Sequence, residues 1–173
     1  MEFKEIIEKE REIFRKTTWY NLMRGFIESR EFEKPFADAC HVLNNNEHFY
    51  PRLSAVFMPF QYTDVYNCKA IIFNSWYNMD YMTNNNGLAY GYWSTGKSPY
   101  DELKYFIKKN HGMCKKQPTK GLEMTEYAKQ GVLLLNNCPI VHDDIKLCQR
   151  LWEPFYDYFF DMIDKNIVRV SIG

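Results

Sequence analysis

The sequence predicts an α/β fold of three layers around a short, mainly parallel central sheet, on three observations. Three brief apolar runs read as strands: Lys69 to Phe73, Gly131 to Asn136 (GVLLLN) and Asn166 to Ile172 (NIVRVSI). Helix-forming stretches, Pro99 to Lys109 and Trp152 to Lys165, fall between successive strands, and strands that alternate with helices pair in parallel. Two further helices precede the first strand, and no repeat or low-complexity linker divides the chain. Residues 1–173 are therefore expected to form one domain with N-terminal helices.

Taken in order, residues 2–16 place Phe3, Ile6, Ile7, Ile13 and Phe14 at helical spacing with charges between them, the pattern of an amphipathic helix. TTWYNLMRGFIESREF supplies a second helix, with Thr17 or Thr18 expected as its cap. The asparagine runs 44–46 and 84–86 read as loops. The first strand ends in Phe73-Asn74-Ser75-Trp76-Tyr77-Asn78, a polar and aromatic turn at a strand's carboxyl end, where open α/β sheets place their sites. At His142-Asp143-Asp144, with Cys138 and Cys148 nearby, the spacing fits no zinc pattern and the acids are expected to start a helix. In the last strand Val168, Val170 and Ile172 alternate with Arg169 and Ser171. That pattern predicts one buried and one wetter face, in a strand left unpaired on one side.

Composition bounds the function. The hydrophobic fraction of 46% is ordinary but the aromatic fraction of 17% is high, so aromatics must fill the core and also line surfaces. Lys plus Arg and Asp plus Glu both total 22, which excludes coating nucleic acid through a global basic field. A local basic cluster, Lys108, Lys109, Lys115, Lys116 and Lys120, remains, and Lys115, Lys116 and Lys120 are its candidates for DNA contact. Cys40, Cys68, Cys114, Cys138 and Cys148 are odd in number and contain no CxxC pair, the usage of free thiols in a reducing compartment. MEFKEIIEKEREIF is too charged to be a signal peptide and no apolar run approaches a membrane span, so a soluble cytoplasmic protein is expected. No metal and no cofactor is expected. Ser75 has no Ser-His-Asp companions, because His41, His48, His111 and His142 lie in unrelated segments.

From about residue 19 onward, several motifs in order carry a family resemblance. FYPRLSAVFMPFQYTDVYNCKAIIFNSWYN resembles the region of family 1 uracil-DNA glycosylases that leads into their water-activating GQDPYH motif. NNGLAYGY is similar to that family's Gly-Leu-Ala-Phe-Ser stretch. EYAKQGVLLLNNCPIV is similar to its Trp-Ala-Lys/Arg-Gln-Gly-Val-Leu-Leu-Leu-Asn strand and is the most specific match. The resemblance implies a uracil-DNA glycosylase-like fold. It also implies a uracil pocket in which Asn136 pairs with the base edge, Tyr90 stacks on the flipped base and Tyr77 excludes the thymine methyl.

The departures bear on chemistry. Ser75 stands at the position of the family aspartate, with Asn74 beside it, and Phe73 and Trp76 replace the glycine and proline of the loop. A serine can neither take a proton from water nor face a developing sugar cation with negative charge; losing general-base help alone costs roughly 10²- to 10⁴-fold. NIVRVSIG resembles the family's third strand, and the chain ends at its glycine, Gly173. The His-Pro-Ser-Pro loop that follows in the family is expected to be lacking, which makes the fold C-terminally truncated. No residue is therefore assigned a catalytic role with assurance. The expected function is a catalytically impaired relative in DNA repair that binds a replication or repair protein or DNA, of phage or other viral origin. Self-association through the 167–172 strand is a further expected partnership. The rivals are an active, divergent base-excision glycosylase in which Asn74 or Asp80 orients water, and an inhibitor or interaction module aimed at a host protein.

Overall fold

A computed structural model describes residues 3–45, 48–74, 85–91 and 124–172. Helix α1, Phe3–Arg15, turns Ile6, Ile7 and Phe14 inward, and Glu10 with them. Helix α2, Tyr20–Ile27, buries Met23, Phe26 and Ile27. The expected threonine cap on α2 is not made. Trp19 holds the cap position because the core takes its indole, whose Nε1 donates to Thr63 O at 2.6 Å. Thr17 Oγ1 instead donates back to Phe14 O at 2.7 Å, and Thr18 Oγ1 accepts from Val65 N at 3.0 Å.

Helices α3, Lys34–Asn44, and α4, Met58–Tyr62, lead to strand β1, Ala70–Asn74. Then come α5, Met124–Lys129, strand β2, Val132–Asn136, helix α6, Ile145–Met162, and strand β3, Val168–Ile172. The helix expected over Pro99 to Lys109 lies outside the described residues. Helix α6 starts well before Trp152, because Asp144 Oδ1 accepts from Leu147 N at 2.9 Å and caps it there. The acids after His142 therefore start a helix.

The sheet is parallel throughout, in the order β2-β1-β3. Alternate residues of the strands point to two clusters. Ile71, Leu133 and Leu135 join a large aromatic core with Phe14, Trp19, Phe36, Phe57, Trp152 and Phe155. Leu134 joins a smaller one with Leu88, Ala89, Tyr90, Met124 and Ala128 on the opposite face. Covering both faces makes the three layers. Rings in the large core meet edge to face, Phe14 against Phe57 at 5.0 Å and Trp152 against Phe155 at 5.6 Å, the geometry their quadrupoles favour.

Strand β3 departs from its predicted pattern. It is exposed along its whole length, with Val168 at 60%, Val170 at 42% and Ile172 at 36%, so neither face is dry. The aromatic core is centred on β1 and β2, and the outermost strand reaches only its rim, where Arg169 lies 5.2 Å from the Phe160 ring. Among the described residues β3 pairs with β1 alone and its other edge is open.

Candidate site at the carboxyl ends of the strands

Strands β1 and β2 end level, with Asn74 in register with Asn136. The side chains meet: Asn74 Nδ2 donates to Asn136 Oδ1 at 3.2 Å, and both residues are buried. The backbone repeats the link one step on, where Asn137 N donates to Asn74 O at 2.8 Å. Asn136 Nδ2 then donates to Gly87 O at 3.2 Å, tying the strand ends to the segment 85–91.

That segment holds its shape through local turns. Asn85 Oδ1 accepts from Gly87 N at 2.7 Å and Asn86 Oδ1 from Leu88 N at 3.2 Å, side chains standing in for backbone acceptors. Ala89 N donates to Leu134 O at 3.1 Å and fastens the segment to β2. Gly87 has φ 89°, and a Cβ there would fall 1.8 Å from Ala55 O, so both conformation and space demand glycine. Tyr90 also lies at positive φ, 62°, a conformation costly for a non-glycine residue and held here by the packing of its buried ring. From the other side Tyr156 donates its hydroxyl to Asn136 O. Burial raises that phenol well above its ordinary pKa and keeps it a donor.

Of the residues singled out by sequence, the structure gathers Asn74, Asn136 and Tyr90 around the end of β2. Ser75, Tyr77, Lys115, Lys116 and Lys120 lie outside the described residues. The gathered groups are amides and a phenol, uncharged at neutral pH. Asn136 thus donates through one amide hydrogen and accepts through its oxygen in the bonds above. These described groups supply no charge and no proton acceptor of their own. Beside it, on the α6 side, an open cavity of about 680 Å³ is lined by Phe73, Asn137, Lys146, Arg150, Glu153 and Tyr156 among others.

Sequence reasoning missed a second cluster. His142 Nε2 lies 2.7 Å from Asp38 Oδ2, and donor atoms of Asp38, His142 and Cys148 all fall within 4.8 Å of one another. The sequence separates Asp38 from His142 too widely for any local signal. These three side chains could together hold a metal ion, and in this structure they form a hydrogen-bonded network. Asp144 N donates to His142 Nδ1, which leaves Nε2 to donate to Asp38. Burial pushes the Cys148 thiol up to about 11. Among the described residues Cys40, Cys68 and Cys148 are free thiols. Among the described residues no helix is long and apolar enough to cross a membrane.

Solved structures share this architecture. The chain superimposes on mimivirus uracil-DNA glycosylase with a TM-score of 0.67 at 14% identity, covering 89% of this chain and 66% of that one. Two substituted forms of mimivirus UNG in complex with UGI each give 0.66 at 14% identity, covering 90% and 89% of this chain and 67% and 68% of theirs. The fold is thus uracil-DNA glycosylase-like, and the chain spans about two thirds of the length of these neighbours. No family model and no curated protein sequence matches it.

Proposed function

We propose that the chain is a divergent family 1 uracil-DNA glycosylase-like protein that has kept the base-recognition end of the site, in one domain, and lost efficient glycosylase chemistry. It works inside the cell by binding DNA or a replication or repair protein. The observation that carries this reading is the Asn74–Asn136 pair. At the sheet end where the resemblance expects a uracil pocket, Asn136 is locked in place by Asn74, Gly87 and Tyr156, and among the described residues the groups hydrogen-bonded there are uncharged. Ser75, at the position of the family aspartate, adds no charge either. Hydrolysis of an N-glycosidic bond builds positive charge on the sugar, and a site of neutral amides stabilises it poorly.

Release of free uracil from a labelled single-stranded oligonucleotide, run beside mimivirus uracil-DNA glycosylase, tests the proposal. The expected result is no release above background at concentrations where the viral enzyme is fast. Turnover within a few-fold of that enzyme overturns it and establishes the active-glycosylase reading.

One observation favours protein binding over DNA binding. Among the described residues one edge of β3 has no paired strand and is flanked by the exposed Val168, Val170 and Ile172, the kind of edge to which a partner's strand, or that of a second copy, is added. Lys115, Lys116 and Lys120 are the residues proposed for DNA contact. Mobility shift of labelled DNA at stated salt, compared with that of a Lys115/Lys116/Lys120 triple alanine variant, separates the two modes.

A further inference from the structure

Helix α6 carries Lys146, Arg150, Glu153 and Asp157 on one exposed stripe, because spacings of four, three and four residues return to the same face of an α-helix. All four line the open cavity of about 680 Å³ beside the strand ends. The stripe is built against the helix's own preferences. Like charges four residues apart repel, and it holds two such pairs in tandem, Lys146 with Arg150 and Glu153 with Asp157. Lys146 also stands in the first turn, at the positive end of the helix dipole, where a cation is disfavoured. Arg150 and Glu153 are close enough along the helix to pair, yet among the described residues none of the four side chains is in an ion pair or a hydrogen bond. No contact within the chain accounts for the order of these charges.

We propose that this stripe pairs α6 with α6 of a second copy of the chain, antiparallel about a two-fold axis that passes between Leu151 and Trp152. Read in reverse, the spacings four, three, four are unchanged while each charge meets its opposite. Lys146 faces Asp157 of the second copy, Arg150 faces Glu153 of the second copy, and the two-fold repeats both contacts along roughly 16 Å of helix. Such self-complementarity is what an isologous interface requires. A foreign protein needs complementary charge but no palindrome, and a phosphate backbone meets Glu153 and Asp157 as like charges. The second copy also covers the cavity, whose lining includes the rings of Phe73 and Tyr156, edge to face at 4.9 Å. The contact is separate from the β3 edge and does not rest on the uracil-DNA glycosylase-like reading.

Sedimentation velocity of the full chain over a concentration series tests it. A monomer–dimer equilibrium should be seen at about 50 mM salt and weaken at least about tenfold at about 500 mM, because screening shortens the reach of exposed charges. Arg150→Glu and Glu153→Arg, both at exposed positions, should keep the circular dichroism of the parent and each be monomeric, since each sets like charges across the two-fold. Mixed in equal amounts they should dimerise again, because the two acids of one variant at these positions then face the two bases of the other. A parent chain that stays monomeric at low salt, a mixture that stays monomeric, or a dimer indifferent to both reversals overturns the proposal. In the last case, dissociation by Val170→Lys assigns the contact to the β3 edge instead.

Discussion

The amide of Asn74 donates to the amide of Asn136 across the β1–β2 pair at 3.2 Å, joining the ends of two strands that lie 62 residues apart in the chain. Asn136 passes the link to Gly87 O through its own nitrogen. The strand ends and the segment 85–91 are thereby one hydrogen-bonded unit.

Asn136→Asp removes the donor to Gly87 and sets two acceptors face to face in a buried site. Leaving a buried acceptor unsatisfied costs about 1–3 kcal/mol. Urea unfolding should show a lower midpoint by that amount, with the loss growing as pH rises and the new carboxyl ionises. An unchanged midpoint would remove the structural role given to Asn136.

Gly87→Ala should destabilise by more than about 1 kcal/mol, because it combines a positive φ with a Cβ 1.8 Å from Ala55 O. The displaced segment would also pull Gly87 O away from Asn136. Hydrogen exchange at Ala89, whose N–H bonds to Leu134 O, should rise in this variant, and full protection there would contradict the linkage.

Arg15 grips Glu28 through two bonds, 2.9 and 2.8 Å, clamping the end of α1 to the end of α2. Hydrogen bonding from Arg15 lowers Glu28 from its ordinary 4.5 to about 2. A depressed carboxyl contributes stability above its unfolded value, so this contribution is complete above pH 4.5 and fades as pH falls toward 2. Both side chains are about one third exposed, so Glu28→Gln should cost less than about 1 kcal/mol at neutral pH and nothing at about pH 1, below the folded value. Urea melts at the two pH values check this.

Glu10 runs in the opposite direction. Burial raises its carboxyl from 4.5 to about 7, with the neighbouring Lys9 opposing the shift weakly. The folded state binds the proton more tightly than the unfolded state, so stability falls as pH rises from 4.5 through 7 and is lowest above that range. The shift corresponds to on the order of 3 kcal/mol, an upper figure because the open pocket lined by Lys9, His48 and Arg52 admits water. Glu10→Gln should flatten this part of the stability profile. A profile that still falls between pH 4.5 and 7 in Glu10→Gln would assign the titration to another group.

The chain by itself determined the sheet and the three strands, because apolar runs bounded by turns are local signals. It also determined the placing of Asn74 and Asn136 at strand ends. Only the tertiary structure decided what those asparagines do: a side-chain bond between positions 74 and 136 depends on parallel register, which no local pattern encodes. The same holds for Asp38 and His142, brought together by the packing of α3 against the entry to α6, and for Glu10. Helical spacing already sets Glu10 on the stripe of Ile6, Ile7 and Phe14, and what only the fold decided is that this stripe is covered at Glu10 too. Trp19 took the cap position from Thr18 because burying an indole outweighs one hydroxyl bond. Strand β3 lost its predicted buried face because alternation fixes which residues share a side, while burial depends on whether anything covers that side.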